Sequence, residues 1–357
     1  MNKQLQNGIK RYFSEILKKV ISKKNISRKE AKKCLIYLLD HKLDIANDVC
    51  FGAFFAALQT KRPTVDEIAG LMDAVINYDR IPIEIKRSFG EPLCGIIGSG
   101  KDDLKTFNVS SAASIVAAAS GVKVLKNGSR AEASIAGTTD VFEKLGINVL
   151  LKDRKKLEKS INKLNFGFCD AEPYFPKMVR EYLGKYYFVH PLSFILPVAS
   201  GLRFDRVVFG LGNSHSELTA KLLVSLGYTR SMVVVGYDQN GKIIDEISNI
   251  GKTKISEIKD KKIRTYLAKP EDFGFKTSHY RFIKEGKNVS ENAKIFRDII
   301  KGKDKGPRRD IVLINAGAVI YIADKVASIK EGTQIAAEAV DSGKAEILLD
   351  NFIKIFQ

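Results

Sequence analysis

Twice in succession, between Cys94 and Gly146, the chain runs from a short apolar segment through a turn of glycines, hydroxyls and basic residues into a helix. The segments read CGIIGSGKDDLKTFNVSSAASIVAAASG (94–121) and VKVLKNGSRAEASIAGTTDVFEKLG (122–146). Short apolar runs bounded by turn signals suit strands buried on both faces, and their alternation with helical pattern predicts a largely parallel sheet flanked by helices. INVLL (147–151), FGFCD (166–170), RVVFGLG (206–212) and SMVVVGYD (231–238) read as further strands. Ser214 and Glu217 have the spacing to cap the helix between the last two. Beyond them, GKIIDEIS (241–248) and KISEIKDKKIRTYLAK (254–269) predict extended, hairpin-like chain, and residues 328–356 read as helical from Ser328-x-x-Glu331 onward.

The first eighty residues lack this alternation. Ser27-x-x-Glu30 and Thr64-x-x-Glu67 are spaced as capping boxes, and Leu35, Leu38, Leu39 and Leu43 fall on one helical stripe. Residues 170–200, DAEPYFPKMVREYLGKYYFVHPLSFILPVAS, break the rhythm again with prolines and aromatics. This excursion is expected to return to the first module. The expected organisation is α/β: a small N-terminal helical domain (1–80, with 170–200 packed onto it) and a larger α/β domain with a mostly parallel central sheet (81–169 and 201–357).

A chain of 357 residues that is 45% hydrophobic can bury a large core. MNKQLQNGIKRYFSEILKK has no apolar core of a signal peptide and no stretch is long enough to span a bilayer, so the cytoplasm is the expected location. Cys34, Cys50, Cys94 and Cys169 are scattered singly, which suits reduced thiols better than a zinc site or disulfide framework. The formal charge of +18 attracts polyanions, phosphorylated metabolites included. Much of that excess is lysine in solvated runs such as KDRKKLEK (152–159), with no nucleic-acid motif beside it. Weak, non-specific nucleic-acid contact is the most that charge alone predicts.

Two glycine-rich turns at strand ends form a natural anion site, because glycine lets backbone N–H groups approach closely and hydroxyls add donors. Gly98, Ser99 and Gly100 supply the first; Asn108, Ser110 and Ser111 stand at the helix start that follows. In the second, Lys126 offers a point charge, Gly128 the turn and Arg130 a planar fork. Asp245 and Glu246 are adjacent carboxylates. On a regular strand they would point to opposite faces, so one shared metal would require a turn, whereas two ions could take one carboxylate each.

In order along nearly the whole chain, FGAFFAALQTKRPTVDEIAGLMDAV, TFNVSSAASIVAAASGVKVLKNGSR, GTTDVFEKLGI, DEISNIGKT, KPEDFG and NAGAVIYIADKVASIKEGTQIAAEAVDSGKA resemble the anthranilate phosphoribosyltransferases. More broadly they resemble the nucleoside phosphorylase type II fold, shared with pyrimidine nucleoside phosphorylases. The latter usually carry a further C-terminal domain, and this chain stops where the shorter transferases stop. The resemblance implies a cleft between the two domains, and transfer of the phosphoribosyl group of phosphoribosyl pyrophosphate to an aromatic amine with Mg2+ and release of pyrophosphate. It implies donor contacts from Gly98, Ser99, Gly100, Asp102, Asn108, Ser110, Ser111, Lys126, Gly128 and Ser129, and metal contacts from Ser110, Asp245 and Glu246. Asn127 and Arg180 are implied at the acceptor, and a homodimer as the assembly.

Several positions depart from the family pattern. GSGKD stands for the usual G-T-G-G-D, placing Lys101 where a glycine is usual. KNGSR stands for K-H-G-N-R, with Asn127 for histidine and Ser129 for asparagine, and the chain before Arg180 is shortened. These departures leave open a second reading, a paralogue of the same fold that has lost the anthranilate reaction and binds nucleic acid through its charge. Displacement at the anomeric carbon calls for neutralising the leaving group and aligning the amine more than for a strong base. His41, His190, His215 and His279, which are unclustered in sequence, fit that expectation.

Overall fold

The computed structural model describes residues 3–40, 42, 46–131, 134–149, 153–182, 185, 190–193 and 195–357. His41, Leu43 and the last two residues of INVLL lie outside them. The chain opens with four helices, α1 (Lys3–Ile21), α2 (Arg28–Leu39), α3 (Asn47–Lys61) and α4 (Val65–Ala74). Ser27 and Thr64 close the two capping boxes read from the sequence. The second does more than cap. Glu67 is fully buried and also accepts from the Ile26 amide at 2.9 Å and from Lys61 Nζ at 2.8 Å, which ties three helices together.

The alternating region follows as β1 (Cys94–Gly98), α5 (Val109–Ala119), β2 (Val124–Gly128), α6 (Thr138–Lys144), α7 (Arg154–Leu164) and β3 (Phe166–Asp170). After the excursion, which contains α8 (Pro176–Tyr182), come β4 (Arg206–Gly210), α9 (Ser216–Ser225) and β5 (Arg230–Tyr237). The chain closes with β6 (Ile243–Ile244), β7 (Thr253–Lys259), β8 (Lys262–Ala268), α10 (Val289–Ile300), α11 (Pro307–Ile322), α12 (Ile329–Asp341) and α13 (Lys344–Phe356). The sheet order is β3-β2-β1-β4-β5-β7-β8, with β6 paired to β5. The five strands from β3 to β5 are parallel; β6, β7 and β8 are antiparallel.

Burial explains the strand sequences. β1, β2 and β3 are buried along all but their last residue, and helices cover both faces, so their side chains need not alternate. At the outer edge, β8 is mostly exposed and carries Lys262 and Arg264, charges that discourage pairing with another strand. On one face α5 packs against β1 and β2, and α11 against β4, over a core that includes Phe142, Phe166, Phe296 and Phe352. On the other, α9 packs against β5 and β7, and α4 packs against α9, which joins the helical module to the sheet. In the excursion, α8 touches α2, Asp79 accepts from the Lys177 and Met178 amides at 2.9 and 2.7 Å, and Lys177 pairs with Asp40.

Two expectations fail. INVLL is not a strand over its described residues 147–149; Ile147 is buried against the α5–α6 core while the Asn148 amide donates to the Phe356 carbonyl. Ser214 does not cap α9, because the helix begins two residues later, with His215 at the cap position and no side-chain bond. Ser328 does accept from the Glu331 amide and caps α12.

Candidate active site

Strand order reverses at the β1–β4 pair, since β2 and β3 lie to one side and β5 to the other. Beyond the carboxyl ends of strands at such a point, connections diverge and leave a crevice. Here it is lined by both glycine-rich turns, by Asp245 and Glu246, and by the excursion. Gly98, Ser99, Gly100 and Asp102 reach it from β1, Asn108 and Ser110 from the start of α5, and Lys126, Asn127, Gly128 and Ser129 from β2.

The paired glycines Gly98 and Gly210, in register at the ends of β1 and β4, admit residue 245. A Cβ on Gly98 would lie 2.6 Å from Asp245 Oδ2, and one on Gly210 would lie 1.5 Å from the Asp245 carbonyl oxygen. The chain bends directly after β6, so Asp245 and Glu246 escape strand alternation and converge. Asp102 joins them: one carboxylate oxygen from each lies within 4.8 Å of the others. The Gly100 amide donates to Asp245 Oδ2 at 2.6 Å, Thr106 Oγ1 to Glu246 Oε1 at 2.9 Å, and Lys105 Nζ to Asp102 Oδ1 at 2.7 Å. Glu246 Oε2 is buried with no hydrogen-bond partner among the described residues.

Burial pushes the Asp245 carboxyl from its ordinary 3.8 up to about 7, with Asp102 adding to the rise. Glu246 is raised well above the ordinary range by burial and by Asp245. A buried, mutually repelling all-oxygen cluster with an orphaned carboxylate oxygen suits a hard divalent cation, and its donor set fits magnesium. Sequence reasoning placed Asp102 with the donor and overlooked Thr106 and Lys105. The D-D-L-K-T spacing was visible, but only the turn it makes brings these side chains beneath residues 245 and 246.

Lys126 is 3% exposed, and its Nζ donates to the Ile96 and Asn127 carbonyls at 3.2 and 3.0 Å. Burial lowers it to about 8, against the opposing pull of Asp245 and Glu246. It is a cation fixed in the floor of the cleft. Asn108 Nδ2 holds the Ala136 carbonyl at 3.0 Å, joining the two turns. Arg130 instead pairs with Glu143 and Asp140 of α6, which anchors its loop.

Two expected site residues face elsewhere. Ser111 is 1% exposed and its hydroxyl meets Thr138 Oγ1 at 2.9 Å, so it braces α5 against α6 and does not line the cleft. Arg180 is also absent from the lining: its guanidinium is directed to Glu181 and to the Leu39 carbonyl, 2.8 Å away, while Phe175, Met178 and Val179 of the same segment do line it. The sequence placed Arg180 near the cleft but could not give its direction on a helix of about two turns. His190 is buried, stacks on Phe55 at 4.6 Å and is held down to about 3 by burial, which makes it a neutral core residue.

Residues 14–78 match the helical bundle domain of the glycosyl transferase family, and residues 90–346 its a/b domain. An anthranilate phosphoribosyltransferase of Clostridium kluyveri is 37% identical over 340 residues, covering 93% of this chain and 96% of that one. The chain belongs to the anthranilate phosphoribosyltransferase family of glycosyl transferases. Another member, from Acetivibrio thermocellus, is 35% identical over 354 residues, covering 95% of this chain and 96% of that one. Among solved structures, the family's enzyme from Thermus thermophilus superposes with a TM-score of 0.85 at 30% identity, covering 95% of this chain and 98% of its own.

Proposed function

We propose that this chain is a magnesium-dependent phosphoribosyltransferase that moves the 5-phosphoribosyl group from phosphoribosyl pyrophosphate to the amine of anthranilate, releasing pyrophosphate. The observation that carries the reading is the convergence of Asp102, Asp245 and Glu246 on the same cleft as the two glycine-rich strand ends. The names of the relatives support the acceptor, and a yeast enzyme of the same fold has been solved with the same donor and magnesium.

Asp245 and Glu246, with Asp102 beside them and Ser110 at the start of α5, would hold the metal. The metal supplies neutralisation of the charge that develops on the departing pyrophosphate. Lys126 adds a fixed positive charge to the cleft, and amides and hydroxyls of the turns bind phosphate oxygens. Phe175, Met178, Leu196 and Pro197 form an apolar wall against which an aromatic acceptor can lie, so its amine is aligned and water excluded.

We place the reaction in the cytoplasm and take a pair of chains as the working unit. No helix among the described residues is long and apolar enough to cross a membrane. Purified protein with phosphoribosyl pyrophosphate and magnesium should release pyrophosphate only when anthranilate is added. Absence of release at millimolar concentrations of both substrates would remove the proposal.

A further inference from the structure

We infer that Asn127, where the family pattern carries histidine, is a positioning residue that sets the acceptor wall by clamping the turn at residues 196–199. The inference rests on the proposed reaction for the identity of the acceptor but not for the clamp. Asn127 lies on β2 opposite Cys169 of β3. Strand alternation puts its side chain on the same face as Leu125, the face covered by the helical module and the excursion. There it meets a single 3-10 turn, Leu196–Val198, closed by the Ala199 amide donating to the Leu196 carbonyl at 2.8 Å.

The Asn127 amide nitrogen donates to the Pro197 carbonyl at 3.1 Å and to the Ala199 carbonyl at 2.9 Å. Its oxygen accepts from Ser200 Oγ at 3.5 Å. All three partners lie about seventy residues away in sequence, and Asn127 is 3% exposed. Both N–H groups of one primary amide thus hold the middle and the far end of the turn whose Leu196, Pro197 and Ala199 line the cleft. A neutral imidazole has only one N–H and cannot hold both carbonyls. The asparagine amide thus supplies a second tether to the turn, one that a neutral histidine could not make.

The clamp lies on the face of β2 opposite Lys126, the side chain that feels Asp245 and Glu246, so its loss should divide the two substrates. Asn127→Asp keeps the volume but sets a carboxylate against two carbonyl oxygens. It should raise the KM for anthranilate roughly tenfold, two lost buried hydrogen bonds being enough for that, while the donor KM stays within about twofold. Asn127→His should fall between it and the unsubstituted protein. Hydrogen exchange of a peptide covering 195–201 should quicken in both variants, with the β2 and β3 amides unchanged. If the Asp variant does not fold, as judged by circular dichroism, the His variant carries the test. Equal increases in both KM values, or exchange at 195–201 no faster than in the unsubstituted protein, would overturn the clamp. If the unsubstituted protein does not turn over anthranilate, the proposed reaction fails, and exchange at 195–201 decides the clamp by itself.

Discussion

Asp245→Asn should make the metal-free protein more stable at pH 7.5, and by a smaller margin, about 1–2 kcal/mol, at pH 5. Asp245 is buried, and its carboxyl is raised from 3.8 to about 7. A carboxyl whose folded value lies above its unfolded value favours the native state below the unfolded value, and that advantage disappears as pH rises through the folded one. The metal-free protein should thus lose stability between about pH 4 and pH 7, by an amount that the full interval sets at roughly 4 kcal/mol. Asparagine retains an oxygen for the Gly100 amide and carries no charge to bury, so it removes this loss. A gain of about 2–4 kcal/mol at pH 7.5 is expected, the lower figure allowing for water reaching the cleft. Urea unfolding in chelator at both pH values measures it. Magnesium should stabilise the unsubstituted protein more at pH 7.5 than at pH 5, since protons compete for the same oxygens, and should do little for Asp245→Asn. A metal-free variant equally stable or less stable at pH 7.5, with no dependence on pH, would refute the argument that the cluster is electrostatically strained without a cation.

Glu246→Gln should reduce pyrophosphate release by at least about tenfold at limiting magnesium, with partial recovery at high magnesium, because one oxygen donor of the cluster loses its charge; unchanged metal dependence in a steady-state titration would exclude Glu246 from the ion. Arg180→Ala should lower stability by about 1–2 kcal/mol through loss of the Leu39 carbonyl and Glu181 contacts, with both KM values within about twofold; an acceptor KM raised tenfold with stability unchanged would return Arg180 to the acceptor site. Duplex DNA should bind weakly and without sequence preference, with affinity falling steeply from low to physiological salt in fluorescence anisotropy, as expected of diffuse lysine charge; salt-resistant binding would favour a nucleic-acid role.

Much of this could be read from residue order because the parallel strands are apolar along their length and the helix starts carry side-chain caps. Ser27, Thr64 and Ser328 signal locally, through a hydroxyl and a carboxylate three residues apart. INVLL misled because an apolar run of that length serves equally as loop chain packed under helices. The glycines and carboxylates of the site were identifiable as residue types in suggestive turns. Their partnership was less so: Asp102 meets residues 245 and 246 across more than 140 positions, and only the bend after β6 decides that two adjacent carboxylates face the same way. The directions of Ser111 and Arg180 depended on rotation about short helices, which neither periodicity nor a motif specifies at single-residue precision.

The matched glycines at the ends of β1 and β4 give the two halves of the cleft different capacities for change. Asp245 is seated by backbone alone, in a slot where even a methyl group on either strand would collide with it. Variation there is nearly all-or-none, because an alanine at position 210 must displace the chain that carries the carboxylates. The opposite wall is held by an asparagine amide and lined by interchangeable apolar side chains, so it tolerates graded substitution. Selection or laboratory evolution for a new amine should therefore accumulate changes around residues 127, 175–179 and 193–199 while positions 98 and 210 remain glycine. Libraries that randomise only the first set should retain use of the phosphoribosyl donor as they diversify the acceptor.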